Sequence, residues 1–579
     1  MKNLKLKSAL LSSAALIAVI GTFTSTGSVA GNLASELAPV LNLVDNVVSN
    51  AKDAGGAPNS LKTKTPIKHL VVIFNENVSF DHYFGSYPNA LNPEGEPVFE
   101  PAKNTPRDTN NLLSSPALLD NNPNLNAANG AGAANPFRLD RTQAATADQG
   151  HAYTAEQKAY DAGKNDLFPL NTGNGTSGGA GAFGTKGQVL GYFDGNTVTA
   201  YWNYAQNYAM SDNAWSDDFG PSTPGAVNMF AGTTNGAVIP AGFTASTIPD
   251  GQGGQTLIND TDPAGDVCSS KTAQVQMTSK NIGDLLNAAD IPWGTFMGGF
   301  NLQTLNNNGT TGCARSTPSQ VTGSATADYI PHHAWFQYYA STANPTHARP
   351  TSTAAIGYTH VPGHPNKVDP ANHAYDLEDF TTAVGSGNYP AVSFIKLPAV
   401  QDGHAGYSNP LDEQTGVVNL INFLQQQPEW DSTAVIIAYD DSDGWYDHAF
   451  ATTTHGSFNV TVDALNGTGN CGIPGQTPKP TGVGGQPVDG RCGPGTRQPF
   501  LVISPYAKKN YVSHALITQA SIPQFIEDNW LKGERIGQGS FDATAGSITD
   551  MFNFDKKNSE KLILDPTFGT VDNKSKVKN

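Results

Sequence analysis

Glu76-Asn77 and Asp440-Asp441 each follow an unbroken apolar run, residues 70–74 in the first case and 433–438 in the second. A carboxylate beside a carboxamide can ligate a hard cation through oxygen. Two adjacent carboxylates repel each other by about 4 kcal/mol for a 4 Å pair near a protein surface, unless a cation or a proton separates them. Together the four residues make an oxygen-rich set suited to Mg²⁺, Ca²⁺ or a similar hard ion. A third segment, Gly220-Pro221-Ser222, reads as a turn that lifts a hydroxyl clear of its own backbone. A metal there could lower the serine pKa and make it a nucleophile.

The elements that must position these groups are short, buried strands. Continuous rather than alternating apolarity predicts strands covered on both faces, as in a parallel sheet, and in such sheets ligands collect beyond the carboxyl ends. Further strands are expected at 391–397, 433–439 and 499–504, with helices at 414–427 and 519–531. The alternation argues an α/β fold, a mostly parallel sheet with helices on both faces. Asn/Gly/Ala/Thr-rich stretches at 102–134, 171–185 and 248–279 read as long loop insertions, and no internal repeat is evident.

The N-terminus has Lys2, Lys5 and Lys7, an apolar stretch over 9–20, and Ser28-Val29-Ala30, the pattern of a signal peptide cut after Ala30. A secreted or periplasmic protein is therefore expected. Leu33, Leu37, Val40, Leu41, Val44, Val47 and Val48 fall at helical spacing, interrupted by Pro39. Residues 31–65 thus read as an amphipathic extension and linker, 66–554 as one catalytic domain and 555–579 as a Lys-rich, frayed tail. No later stretch reaches the roughly 20 apolar residues of a spanning helix. The formal charge of −17 becomes −20 without the three leader lysines, so nucleic acid, which needs clustered Lys and Arg, is not an expected partner. The same acidity weighs against anionic membranes. Cys268, Cys313, Cys471 and Cys492 are even in number, without C-x-x-C spacing, and an exported chain meets an oxidising compartment. Local pairing, Cys268–Cys313 and Cys471–Cys492, is favoured; sequence leaves the other two connectivities open.

Taken together, Glu76-Asn77-Val-Ser-Phe-Asp-His-Tyr-Phe-Gly85, Gly220-Pro221-Ser222 and Tyr439-Asp440-Asp441-Ser-Asp-Gly-Trp-Tyr-Asp-His448 resemble the secreted bacterial phosphoesterase superfamily of phospholipases C and acid phosphatases. Asp148-Gln-Gly-His151, Pro331-His332-His333-Ala-Trp-Phe336, Asp402-Gly-His404 and Leu501-Val-Ile-Ser-Pro-Tyr506 extend the likeness. It implies an alkaline-phosphatase-like core and one divalent metal, of open identity, held by Glu76, Asn77, Asp440, Asp441 and the nucleophile Ser222. His151, His333 and His404 match positions where the family places imidazoles around the phosphate, and His332 is an alternative to His333. His82 and His448 are expected to orient loops. Trp335, Trp445 and Tyr446 either line the mouth or pack beneath it. Ser rather than Thr at 222, and Pro224-Gly225-Ala226 rather than the Pro-Asn-Arg common in the phospholipases, lean towards the phosphatase branch.

The expected activity is hydrolysis of phosphate monoesters through a phosphoserine. Phospholipase C action on headgroup phosphodiesters is the alternative, and a catalytically silent surface binding protein is the alternative of another class.

Overall fold

The computed structural model describes residues 58–114 and 118–572. The expected leader and most of the amphipathic extension lie outside the described residues. Eight strands form the central sheet: β1 (His69–Asn75), β2 (Ala209–Ser211), β3 (Trp293–Met297), β4 (Ala374–Asp376), β5 (Val392–Lys396), β6 (Thr433–Tyr439), β7 (Phe500–Ile503) and β8 (Tyr511–Ser513). Their order is β4-β3-β5-β1-β6-β7-β2-β8. β7 runs antiparallel to both β6 and β2, and the other pairings are parallel. β1 is central, with Leu70 opposite Val392 of β5 on one side and Ala434 of β6 on the other.

All seven residues of β1 and of β6 are buried, as continuous apolarity requires. Successive side chains point to opposite faces, and each face has its helix. Glu413, on α4 (Pro410–Gln426), accepts from Asn75 Nδ2 and from Tyr439 OH, both at 2.8 Å, so α4 covers the face of the odd-numbered β1 residues. On the other face lies Phe394, the register partner of Val72, packed edge-on against Phe230 of α3 (Ser222–Ala231) with ring centroids 5.6 Å apart. The remaining helices used below are α1 (Tyr153–Tyr160), α2 (Thr199–Asn207) and α5 (Ser521–Trp530).

Three expectations need correction. α4 begins four residues earlier than its apolar pattern suggests, because the Asn409 side chain accepts from Leu411 N and Asp412 N and Pro410 occupies the first turn. The stretch 248–279 is no structureless loop; it contains the strands Gln255–Leu257, Asp262–Pro263 and Gln274–Met277. Residues 562–569, expected to fray, lie along α4. There Gln425 exchanges two 2.7 Å hydrogen bonds with the Leu562 backbone, and Leu564 is buried. The strands β2, β4 and β8 escaped the sequence reading because three-residue segments carry no apolar run of their own, and β3 escaped it as well.

Cys268 pairs with Cys313 and Cys471 with Cys492, the local connectivity. The second bridge bears on the rest of the fold through its backbone, since the Cys492 carbonyl accepts from Phe219 N at 2.9 Å, three residues before Ser222. Replacing Cys471 and Cys492 together by Ser should lower the unfolding free energy by about 2–4 kcal/mol, read from urea melts. Unchanged stability would show that the bridge constrains nothing the fold lacks without it.

Candidate active site

β1 and β6 are parallel neighbours, in register through Asn75 opposite Tyr439, so their next residues emerge side by side. Those residues are Glu76-Asn77 and Asp440-Asp441. Asn77 adopts a left-handed backbone (φ 57°), which Asn tolerates better than most side chains. Ser222 arrives from the other direction as the first residue of α3. At Gly225 a Cβ would sit 2.1 Å from the Asp440 carbonyl oxygen, so the helix lies directly on the backbone of the acid pair.

Ser222 Oγ is 2.9 Å from Glu76 Oε2, 3.2 Å from Asp441 Oδ2 and 3.5 Å from Asn77 Oδ1. Asp440 Oδ1 accepts from Asn77 N at 3.2 Å and from Asp441 N at 2.8 Å, while its Oδ2 is buried without a hydrogen-bond partner. Oxygens of Glu76, Asp440 and Asp441 lie within 4.8 Å of one another. Lys396, the last residue of β5, is buried and pairs with Glu76 Oε1. One ammonium does not balance three carboxylates. Burial pushes the Asp440 carboxyl pKa up despite Lys396; burial and then the Asp440 charge push Asp441 well above the usual carboxylate range. Burial lowers the Lys396 pKa, opposed by Asp440, Asp402 and Asp441. The Asn77 amide presents one atom 2.7, 2.9 and 3.2 Å from oxygens of Glu76, Asp440 and Asp441. Turned as nitrogen it has two hydrogens to share among the three; turned as oxygen it completes a cage. Converging carboxylates, an orphaned buried oxygen and an amide that can supply a fourth oxygen fit a hard divalent cation.

The imidazoles surround this group. His333 Nδ1 is 3.2 Å from Glu76 Oε1 and 3.8 Å from Asp402 Oδ2. His404 Nε2 is 3.0 Å from the outer atom of the Asn77 amide, and its ring stacks on Tyr407 at 4.4 Å. His151 Nε2 is 3.4 Å from Asn77 Nδ2, with Nδ1 against Gln149 O at 2.8 Å and Asp443 Oδ1 at 3.1 Å. Burial, reinforced by neighbouring histidines, holds His333 and His404 well below the ordinary imidazole pKa. Burial also opposes charge on His151, but Asp441 and Asp443 outweigh it and raise that pKa well above 6.5. His332 points outward to Asp262 at 3.6 Å and is likewise raised, with Asp260 and Asp262 overcoming its burial.

All eight residues singled out in the sequence therefore meet in one place: Glu76, Asn77, His151, Ser222, His333, His404, Asp440 and Asp441. Other assignments sort themselves by packing. Trp445 stacks on His82 at 3.9 Å, Tyr446 packs edge-on to Phe168 at 5.1 Å and Trp335 is buried against Phe74, so none of the three lines the mouth. Sequence reasoning missed Lys396, although a lysine closing a buried strand is itself a signal. It also missed Glu156 of α1, whose two oxygens accept from Gly220 N and Ser442 Oγ, both at 2.9 Å. That carboxylate ties the turn before Ser222 to the loop after Asp441, and burial raises its pKa to about 7.

A family model described as Phosphoesterase family matches residues 67–531. Phospholipase C B of Mycobacterium tuberculosis is 22% identical over 530 residues, 88% of this chain and 81% of its own length. Phospholipase C A of the same species is 24% identical over 526 residues, 88% and 80% of the two chains. The non-hemolytic phospholipase C of Pseudomonas aeruginosa is 23% identical over 502 residues, 85% of this chain but 58% of its own length. A mutant of the alkaline phosphatase PafA aligns over 61% of this chain and 94% of its own, at 10% identity and a TM-score of 0.30.

The crowding of carboxylates has a measurable sign. In chelator-stripped protein, Asp441→Asn should raise the unfolding free energy by about 1–2 kcal/mol, since it removes one of the repelling charges. Added Mg²⁺, Ca²⁺ or Zn²⁺ should raise the melting temperature of the wild type and leave the variant nearly unmoved. Equal metal responses would show that Asp441 is no ligand.

Proposed function

This chain belongs to the Phosphoesterase family and is a hydrolase of phosphoric ester bonds, and from that premise we propose that it works by double displacement through Ser222. The observation that carries the reading is the Ser222 hydroxyl, 2.9 Å from Glu76 at the first turn of α3 and beside the three converging carboxylates. Glu76, Asn77, Asp440 and Asp441, with Ser222, would hold one divalent metal. When bound, such an ion supplies Lewis-acid charge for the serine oxygen and a phosphoryl oxygen.

The chain's own groups do the rest. Ser222 Oγ forms a bond to phosphorus as the ester oxygen departs in line, giving a phosphoserine. Its proton has carboxylate acceptors within 3.2 Å, and the positive end of α3 favours the alkoxide. His151, held cationic by Asp441 and Asp443, donates the proton that the leaving alkoxide needs. His333 and His404 turn Nδ1 to the acceptors Glu76 Oε1 and Ala405 O, so each donates to a phosphoryl oxygen through Nε2 once the bound phosphate has drawn it into its protonated form. Water then attacks the phosphoserine, breaking the Oγ–P bond and restoring Ser222.

Phosphate monoesters are the first substrate class. Gly225 leaves no room for a side chain and Ala226 is small and buried, so these two positions offer no polar group to a headgroup. The second reading, phospholipase C action on phosphodiesters, is favoured by the names of the relatives that align over 85–88% of the chain.

Purified protein assayed against p-nitrophenyl phosphate and p-nitrophenyl phosphorylcholine should prefer the monoester; preference for the choline diester would install the second reading. Ser222→Ala should lose roughly 10⁴-fold or more in kcat, with substrate binding retained. Ser222→Thr should retain measurable activity, about a hundredfold reduced by its misplaced hydroxyl. Full turnover by Ser222→Ala would exclude this serine as nucleophile.

A further inference from the structure

The strands give the molecule two ends, and its ionisable groups are sorted between them. Glu76, Asp402, Asp440, Asp441 and Asp443 gather at the carboxyl end, around Lys396. At the opposite end β1 and β6 begin and the reversed β7 finishes, with Ser504 Oγ donating to Thr433 O at 2.8 Å. Two clefts open at this base. One, of about 420 Å³, carries Lys62, Lys64 and Lys532; the other, of about 540 Å³, carries Lys508, Lys509, Lys556 and Lys557. Phe525, five residues before Trp530 of the first cleft, stacks on Phe552, and Phe552 on Phe554, next to Asn553 of the second.

Some of this charge is spent locally. Lys64 lies 3.8 Å from Asp528, Lys509 3.2 Å from Glu560 and Lys557 2.6 Å from Asp431. Lys62, Lys532, Lys556 and the neighbouring Lys561 are exposed and make no ion pair with any described residue. In a chain of net charge −17, that is a local reversal of sign which the total conceals.

We propose that this base docks electrostatically on an anionic lipid surface. Lysines suit a diffuse surface of headgroups, since a compact ammonium on a flexible stem attracts charge without demanding the planar geometry that an arginine fork reads. The lysines are spread over two clefts rather than converging on one point, which favours an extended anionic lipid surface over a small soluble polyanion. β1 is seven residues long, so the catalytic end stands about 20 Å from the docked face. The site then opens to solution rather than to the lipid that holds it.

The test is co-sedimentation of the full chain with vesicles of phosphatidylcholine, with and without phosphatidylglycerol, in a Ser222→Ala background so that no lipid is consumed. Binding should require phosphatidylglycerol and fall steeply with salt. Adding Lys62→Gln, Lys532→Gln, Lys556→Gln and Lys561→Gln together should weaken it at least a hundredfold, from about fivefold per lysine. The same four changes with Ser222 intact should leave turnover of p-nitrophenyl phosphate unaltered. Equal binding to neutral vesicles, salt-independent binding, undiminished binding of the fourfold variant, or capture by soluble polyphosphate without capture by vesicles would each overturn the proposal. Sedimentation reads binding alone, so its failure is distinguishable from failure of the catalytic reading.

Discussion

Three carboxylates brought together in a dry place are the constraint from which the rest of the site follows. Charges within 5 Å of one another out of water repel strongly, and the fold supplies one ammonium, Lys396, to offset them. The arrangement persists because β1, β5 and β6 are locked in register by backbone hydrogen bonds, which fix where each strand stops whatever the charges prefer. The helices on either side then share the burden. α4 brings Glu413, which orders Asn75 and Tyr439 immediately behind the acids, and α3 turns the positive end of its backbone towards them. A cation is what such a site is built to accept.

Much of this was legible because the informative residues sit where strands end. A run such as Leu70 to Phe74 announces a strand covered on both faces, and its abrupt close in Glu76-Asn77 marks a position where parallel sheets place ligands. That β1 and β6 are neighbours was not legible. Adjacency is decided by long-range pairing, and nothing local to either strand encodes it. Lys396 passed unnoticed for the same reason, since its partner Glu76 is 320 residues away in sequence. The aromatics were ambiguous in sequence because a Trp near a motif is equally suited to a mouth and to a core. Stacking of Trp445 on His82 settles that position as core.

Total charge misled in a more interesting way. A composition rich in acids weighs against an anionic partner, but the total averages over two ends that differ in sign. Strand direction separates them: residues after parallel strands collect at one end, and residues before them at the other. The reversed β7 adds to the contrast by delivering Lys508 and Lys509 to the base, whereas a parallel strand in its place would have carried them to the catalytic end.

The contact of Gly225 with the Asp440 carbonyl makes Ser222 and the acid pair parts of one rigid piece. α3 cannot slide or roll on β6 without driving backbone into backbone, so Ser222 and Asp441 keep their spacing while the rest of the protein breathes. Any adjustment to substrates of different size falls to the segments across the mouth, those bearing His151 and His404-Tyr407. Diversification would follow the same division: the half of the site that carries Ser222 and the acid pair is frozen by a missing methyl group, and the loops that bring the histidines are not held in that way.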